Sequence, residues 1–157
     1  MKRMRMIVGA VATTAAILLA GCGSDKGSAP ASTIDSRGVV AAADWSKSET
    51  ITVTLSSYAF APADLSLRQG RPYKIHLTNE SGSTHTFSSG DFFKAVAVQK
   101  VVLNGVESPS VSEDGITLEG HQQADLYLVP VTVGSYGLYC DEFMHDTMGM
   151  HGHIAIQ

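Results

Sequence analysis

The chain has 157 residues, of which 44% are hydrophobic and 17% charged, with 11 basic against 15 acidic residues and a formal net charge of −4. A negative chain with no basic run lacks the electrostatic footprint of a nucleic-acid binder. There is no internal repeat and no sign of a second domain, so a single domain is expected once the N-terminal segment is set aside.

The first 21 residues read as an export signal rather than as part of a fold. Lys2, Arg3 and Arg5 give a positive start, and MIVGAVATTAAILLA has the length of a signal-peptide core. The run is short for a membrane span and lacks a stop-transfer pattern. It closes on LAGC, which resembles the lipobox of bacterial lipoproteins. That resemblance implies cleavage between Gly21 and Cys22, a lipid on Cys22, and residence in the cell envelope, on the periplasmic face if the host has two membranes. Gly23 stands where the inner-membrane retention signal has aspartate, so the outer membrane is slightly favoured. Loss of residues 1–21 leaves 8 basic against 15 acidic residues, a net charge of −7. Such a surface favours solubility and a basic protein partner.

Residues 22–48 are rich in Ser, Ala, Gly and Asp without a sustained apolar period, which predicts a tether. A flexible chain of that length has a root-mean-square span of roughly 30 Å. VVAAADW has the makings of a helical turn, and Trp45 is the one residue suited to docking the tether on the domain.

Residues 49–157 read as short strands separated by turns. In TITVTLSSYAF, Ile51, Val53 and Leu55 alternate with threonines and serines, the pattern of a half-buried strand. PYKIHLTN repeats it with Tyr73, Ile75 and Leu77 on one face, which leaves His76 on the polar face as a surface histidine. FFKAVAVQKVV is a further apolar and β-branched stretch, with room for a short helix around DFFKAV. ADLYLVPV, SYGLYC and HIAIQ complete the series. His121 falls in a turn and is expected to be exposed. VVLNGVESPSVSEDGITL, residues 101–118, reads as a hairpin or extended insertion with no assigned role. Seven or eight strands without a long helical period predict an all-β, antiparallel Greek-key β-sandwich.

The closing stretch, GLYCDEFMHDTMGMHGHIAIQ, concentrates the side chains with chemistry. With Cys22 taken by lipid, Cys140 is the only thiol left, and the only methionines left are Met144, Met148 and Met150. His145, His151 and His153 lie among them. An unpaired cysteine in an exported protein is a buried inert thiol, half of an intermolecular disulfide, a nucleophile or a metal ligand. The pattern Cys140-x4-His145-x4-Met150 lies at the end of a strand and in the loop after it. Thiolate, imidazole and a more distant thioether make the donor set of a trigonal copper site with a weak axial ligand, which needs a second histidine.

That histidine is available in NESGSTHTF as His85. YAFAPADLSLRQG, IHLTNESGSTHTF, VGSYGLYC and the final H-x-x-x-G-M-x-G occur in the order and rough spacing of the cupredoxins, and the resemblance covers most of residues 50–157. It implies a mononuclear type 1 copper held by His85, Cys140 and His145, with Met150 as the axial ligand. Asn79 matches the turn before the first histidine, and Thr86 matches the residue whose backbone N–H bonds to the cysteine sulfur. Gly134 and Tyr136 match the strand that delivers the cysteine. Met148 competes with Met150, but Gly149 and Gly152 frame Met150 as they do in the family. Phe143-Met144 departs from the Pro-Gly found in many relatives.

One-electron transfer between exported redox partners is the activity this implies, with His145 near the surface as the electron's exit and with no enzymatic step. The protein is expected to be a monomer. The rival reading is copper trafficking, buffering or resistance, with copper-transport proteins as partners. Met144, Met148, His151 and His153, near Glu142 and Asp146, would then form a second, softer copper site.

Overall fold

The computed structural model describes residues 35–108, 112 and 114–157. The export signal, Cys22 and the first part of the expected tether lie outside the described residues.

The alternation read from the sequence produces the strands directly. In β1 (Glu49–Ser56) the side chains of Val53 and Leu55 turn inward, and in β4 (Tyr73–Asn79) every second residue is buried. β1 and β4 join β2 (Ala59–Ala61), β6 (Val96–Leu103), β7 (Val106–Ser108) and β9 (Gln123–Pro130) in a six-stranded sheet, ordered β2-β1-β4-β9-β6-β7. The second sheet has the order β3-β11-β10-β5-β8, from β3 (Asp64–Leu67), β5 (His85–Ser88), β8 (Gly115–Leu118), β10 (Gly134–Tyr139) and β11 (His151–Ile156). Leu55, Ile75, Leu77, Leu126 and Leu128 from one sheet meet Leu67, Phe87, Leu118, Leu138 and Ile154 from the other in a single core. This is the β-sandwich expected, and the one cysteine among the described residues, Cys140, is free.

Two details differ from the expectation. The sheets are mixed, because β1 pairs with β4 in parallel and β3 pairs with β11 in parallel. The chain leaves β1, crosses to the other sheet as β3 and returns, so β4 runs alongside β1 in the same direction. Side-chain alternation fixes which face is buried but carries no information on strand direction. The described residues also form eleven strands rather than seven or eight, since β2 and β7 have only three residues each and β3, β5 and β8 four. The segment after Val101 does form a hairpin: Asn104 and Gly105, both at positive φ, turn β6 into β7. β8 then joins the other sheet. The short helix expected near DFFKAV is α2 (Gly90–Lys94).

The N-terminal edge of the domain lies further upstream than residue 49. Residues 36–42 form a helix, α1, which packs on β6 and β9 within the same compact unit as the sandwich. The Asp35 carboxylate caps it by accepting the Gly38 N–H at 3.1 Å. Trp45, in a single 3-10 turn, donates its indole N–H to the Val40 carbonyl at 3.1 Å and meets the Tyr127 ring edge-on, 6.3 Å between centroids. The small residues that suggest a linker by composition are compatible with a helix once a cap and an aromatic anchor hold it.

If this packing stabilises the domain, Trp45→Ala will lower the unfolding free energy by about 1–2 kcal/mol, less than a fully buried tryptophan because Trp45 is only half-buried. Denaturant unfolding followed by circular dichroism measures it. An unchanged midpoint would mean that residues 36–48 merely rest on the sandwich.

Candidate metal centre

His85, Cys140 and His145 come together at one end of the sandwich, with their donor atoms all within 4.8 Å of one another. Each arrives on a different piece of backbone. His85 is the first residue of β5 and is delivered by the turn before it. That turn is clamped by the buried side chain of Asn79, whose amide donates to the carbonyls of Ser83, Leu118 and Glu119 at 2.7, 3.1 and 3.0 Å. Its oxygen accepts the Ser81 N–H at 3.0 Å. Cys140 follows the last residue of β10, and His145 stands in the middle of the loop from there to β11.

The sulfur of Cys140 lies 3.8 Å from His85 Nδ1 and 3.5 Å from His145 Nδ1. Thr86 donates its backbone N–H to the same sulfur at 3.3 Å, as the cupredoxin resemblance implies, and its hydroxyl accepts the Asp141 N–H at 2.6 Å. Thr86 therefore holds the residues on both sides of that contact. Cys140 is free and buried, which removes the readings as a surface nucleophile or an intermolecular disulfide.

The axial candidates separate by burial. Met150 is 0% exposed, whereas Met148 is 55% exposed. Met150 is also tied into the site by its backbone, donating to the His145 carbonyl at 3.0 Å and accepting the Cys140 N–H at 3.2 Å. The two framing glycines have steric reasons. Gly149 has φ +104°, in the left-handed region that favours glycine. A Cβ on Gly152 would fall 1.9 Å from the carbonyl oxygen of Ala63, so only glycine lets β11 lie against that backbone.

The donor set fits copper. His85 is buried, and its Nε2 has no hydrogen-bond partner while its Nδ1 faces a sulfur rather than a good acceptor. A buried imidazole left this way is poorly satisfied by the protein alone. Burial, then the neighbouring His145, hold its pKa below the ordinary histidine value, with Glu142 opposing weakly. The neutral imidazole, the form that binds metal, is thereby favoured. Thiolate, two imidazoles and a buried thioether suit a single type 1 copper rather than zinc or a hard cation.

The other donors of the C-terminal stretch do not join this cluster. His151 lies beside Asp146, 3.6 Å between Nδ1 and Oδ1, and His153 lies beside Asp64 of β3 at 3.5 Å. Met144 and Met148 stand on the exposed side of the loop. His121 is exposed in its turn. His76 is on the outer sheet face as expected, but half-buried and hydrogen-bonded to Asp125 at 2.6 Å.

Three contributors were not read from the sequence. Tyr58, in the turn between β1 and β2, sets its ring edge-on to the His145 imidazole, 5.1 Å between centroids, and has φ 63°. A bulky aromatic at positive φ is uncommon, but that conformation is invisible in the string SSYAF. The Ser88 hydroxyl donates to the Asp141 carboxylate, and the Ser89 hydroxyl to the Gly137 carbonyl. These bonds join β5 to β10 across residues some fifty apart, 53 and 48 respectively, and no local pattern announces them.

Fold and site together define a copper-binding cupredoxin. The chain belongs to that family: a model of the cupredoxin-like domain matches residues 36–156. Among solved structures it resembles a multi-copper oxidase from Pseudomonas thermotolerans, with a TM-score of 0.57 and 19% identity over 73% of this chain and 31% of that one. A multi-copper oxidase from Pediococcus acidilactici gives 0.54 and 14%, over 70% of this chain and 26% of that one. A dithionite-reduced auracyanin from the photosynthetic bacterium Roseiflexus castenholzii gives 0.50 and 12%, over 70% of this chain and 98% of that one. At these identities the likeness is one of fold. The chain spans about a third or less of the two oxidases. No curated protein matches it in sequence.

With Met150 axial, Met150→Leu will raise the reduction potential of the copper-loaded protein by about 60 mV or more, a tenfold change in a one-electron equilibrium. Met148→Leu will leave it where it was. Protein-film voltammetry on the two variants decides the matter, and the reverse pattern would make Met148 the ligand.

Proposed function

We propose that the protein is a lipid-anchored carrier of single electrons between redox proteins of a bacterial cell envelope. The observation that carries this reading is the site itself: donors from the start of β5 and from the hydrogen-bonded loop between β10 and β11, held close together by the protein's own packing. Copper bound there would supply a one-electron couple, with thiolate and thioether favouring the cuprous state and imidazole accommodating the cupric one. The chain's own residues do the rest. Asn79 and Thr86 fix His85 and Cys140 through bonds that do not involve the donor nitrogens. Met150 and the core behind it exclude water from the sulfur. His145 alone of the three is half-buried rather than buried, and it is the natural exit for an electron.

The dithionite-reduced auracyanin shares the fold, and redox behaviour is carried from it to this chain as part of the proposal. The net charge of −7 for residues 22–157 favours a basic docking partner. Attachment would run through the lipid on Cys22. Because the domain begins near Asp35, the connecting chain is shorter than the sequence implies: residues 22–35 reach at most about 50 Å when fully extended.

Electron self-exchange between the reduced and oxidised protein tests the carrier role. Exchange fast enough to broaden the ligand-histidine signals in mixtures of the two forms is the expected result, and separate unbroadened spectra would sink it. The anchor has its own test. Labelled palmitate should enter the wild type and not Cys22→Ala, and the variant should move to the soluble fraction. A variant still bound to membranes would remove the lipid from the account.

A further inference from the structure

The loop that carries His145 also displays side chains that the buried site does not use. Phe143 is 88%, Met144 51% and Met148 55% exposed, and together they account for three of the seven large apolar side chains left exposed among the described residues. Methionine on a surface gains nothing from packing, and these two thioethers lie on one closed turn. The Met148 N–H donates to the carbonyls of Met144 at 3.0 Å and His145 at 3.2 Å, so the backbones of Met144 and Met148 are brought together with His145 between them. Met144 is held at φ 65°, a conformation that glycine or asparagine adopts far more readily. The turn also contains Asp146, and the exposed His151 ring is drawn to it, 3.6 Å from Nδ1 to the carboxylate. His153 is directed elsewhere, to Asp64.

We propose that Met144, Met148 and His151 form an outer acceptor site for Cu(I), from which the ion passes inward to the buried donors. Two thioethers and an imidazole are a soft set that selects Cu(I) over Cu(II), zinc and the hard cations. Both methionines are long, unbranched and flexible, which suits two side chains a turn apart to a shared ion. Transfer is ligand exchange at constant oxidation state. The thioether–Cu(I) bonds break, a Cu(I) bond to the Cys140 thiolate forms, and the thiol proton passes to solvent. The ion is supplied as Cu(I) by a soft-donor chelate, so no oxidant or reductant is required. His145 belongs to the same turn as the outer thioethers and to the buried set, which makes it the shared wall between the two sites. This inference rests on the buried site being the copper site.

The test uses the full-length chain with isotope-labelled methionine methyl groups, assigned by substitution, and Ag(I) as a redox-inert stand-in for Cu(I). A first equivalent should move the Met150 methyl, and further Ag(I) should move the Met144 and Met148 methyls together. Met148→Leu should abolish the shift at Met144 while Met150 still responds. Anaerobic loading from a Cu(I) chelate should be several-fold slower in the Met144→Leu/Met148→Leu double variant. Stationary Met144 and Met148 methyls under excess Ag(I), or an unchanged loading rate in the double variant, would overturn the outer site. A Met150 methyl that never responds would instead count against the buried copper site.

Discussion

The register between β10 and β11 is the constraint on which the site depends. The strands pair from Gly134 and Ile156 up to Tyr139 and His151. One step further, Cys140 and Met150 stand opposite each other, joined by the Cys140 N–H to the Met150 carbonyl. Opposite residues of an antiparallel pair share a face, and here that face is the core: Leu138 and Cys140 on one strand, Met150, Ile154 and Ile156 on the other. A slip of β11 by one residue would turn the Met150 thioether to solvent and away from the Cys140 thiol. Gly152 guards against it, because any side chain there would strike Ala63.

The remaining donors are positioned relative to this pair. β5 lies beside β10 in the same sheet, and Thr86 reaches across to the cysteine sulfur while Ser88 holds Asp141. Asn79 belongs to the other sheet, and its amide ties that sheet to the backbone on either side of the site. The donors therefore sit on elements fixed by the same packing that holds the domain together. Rigid support of this kind lets a metal change oxidation state with little movement of its ligands. The loop between Cys140 and Met150 is the exception. Its outer side chains are free of the core, so it can present His145, Met144 and Met148 outward without disturbing Cys140.

Much of this was legible in the sequence because it depends on local order. Period-two alternation in ITVTL and YKIHL gives the inward faces of β1 and β4, and the donor spacing from Cys140 to Met150 gives three ligands of one loop. His85 could be paired with them only through the cupredoxin resemblance, since it lies 55 positions before Cys140. What was not legible depends on tertiary geometry. The parallel pairings follow from how the chain crosses between sheets, which alternation does not encode. α1 reads as linker because its small residues acquire a helix only with Asp35 and Trp45 in place. Tyr58 escapes notice because its role depends on a positive φ and on the position of a ring from the other end of the chain.

The copper site stands or falls with Cys140 as a copper thiolate in a preformed trigonal set of donors. Its most direct test is the visible absorption and electron paramagnetic resonance spectrum of the full-length chain with one equivalent of Cu(II), measured beside Cys140→Ser. The expected result is an intense thiolate-to-copper band with narrow hyperfine splitting, complete at one equivalent and absent from the variant. A colourless wild-type protein with broad hyperfine splitting, or a band that survives in Cys140→Ser, would contradict it.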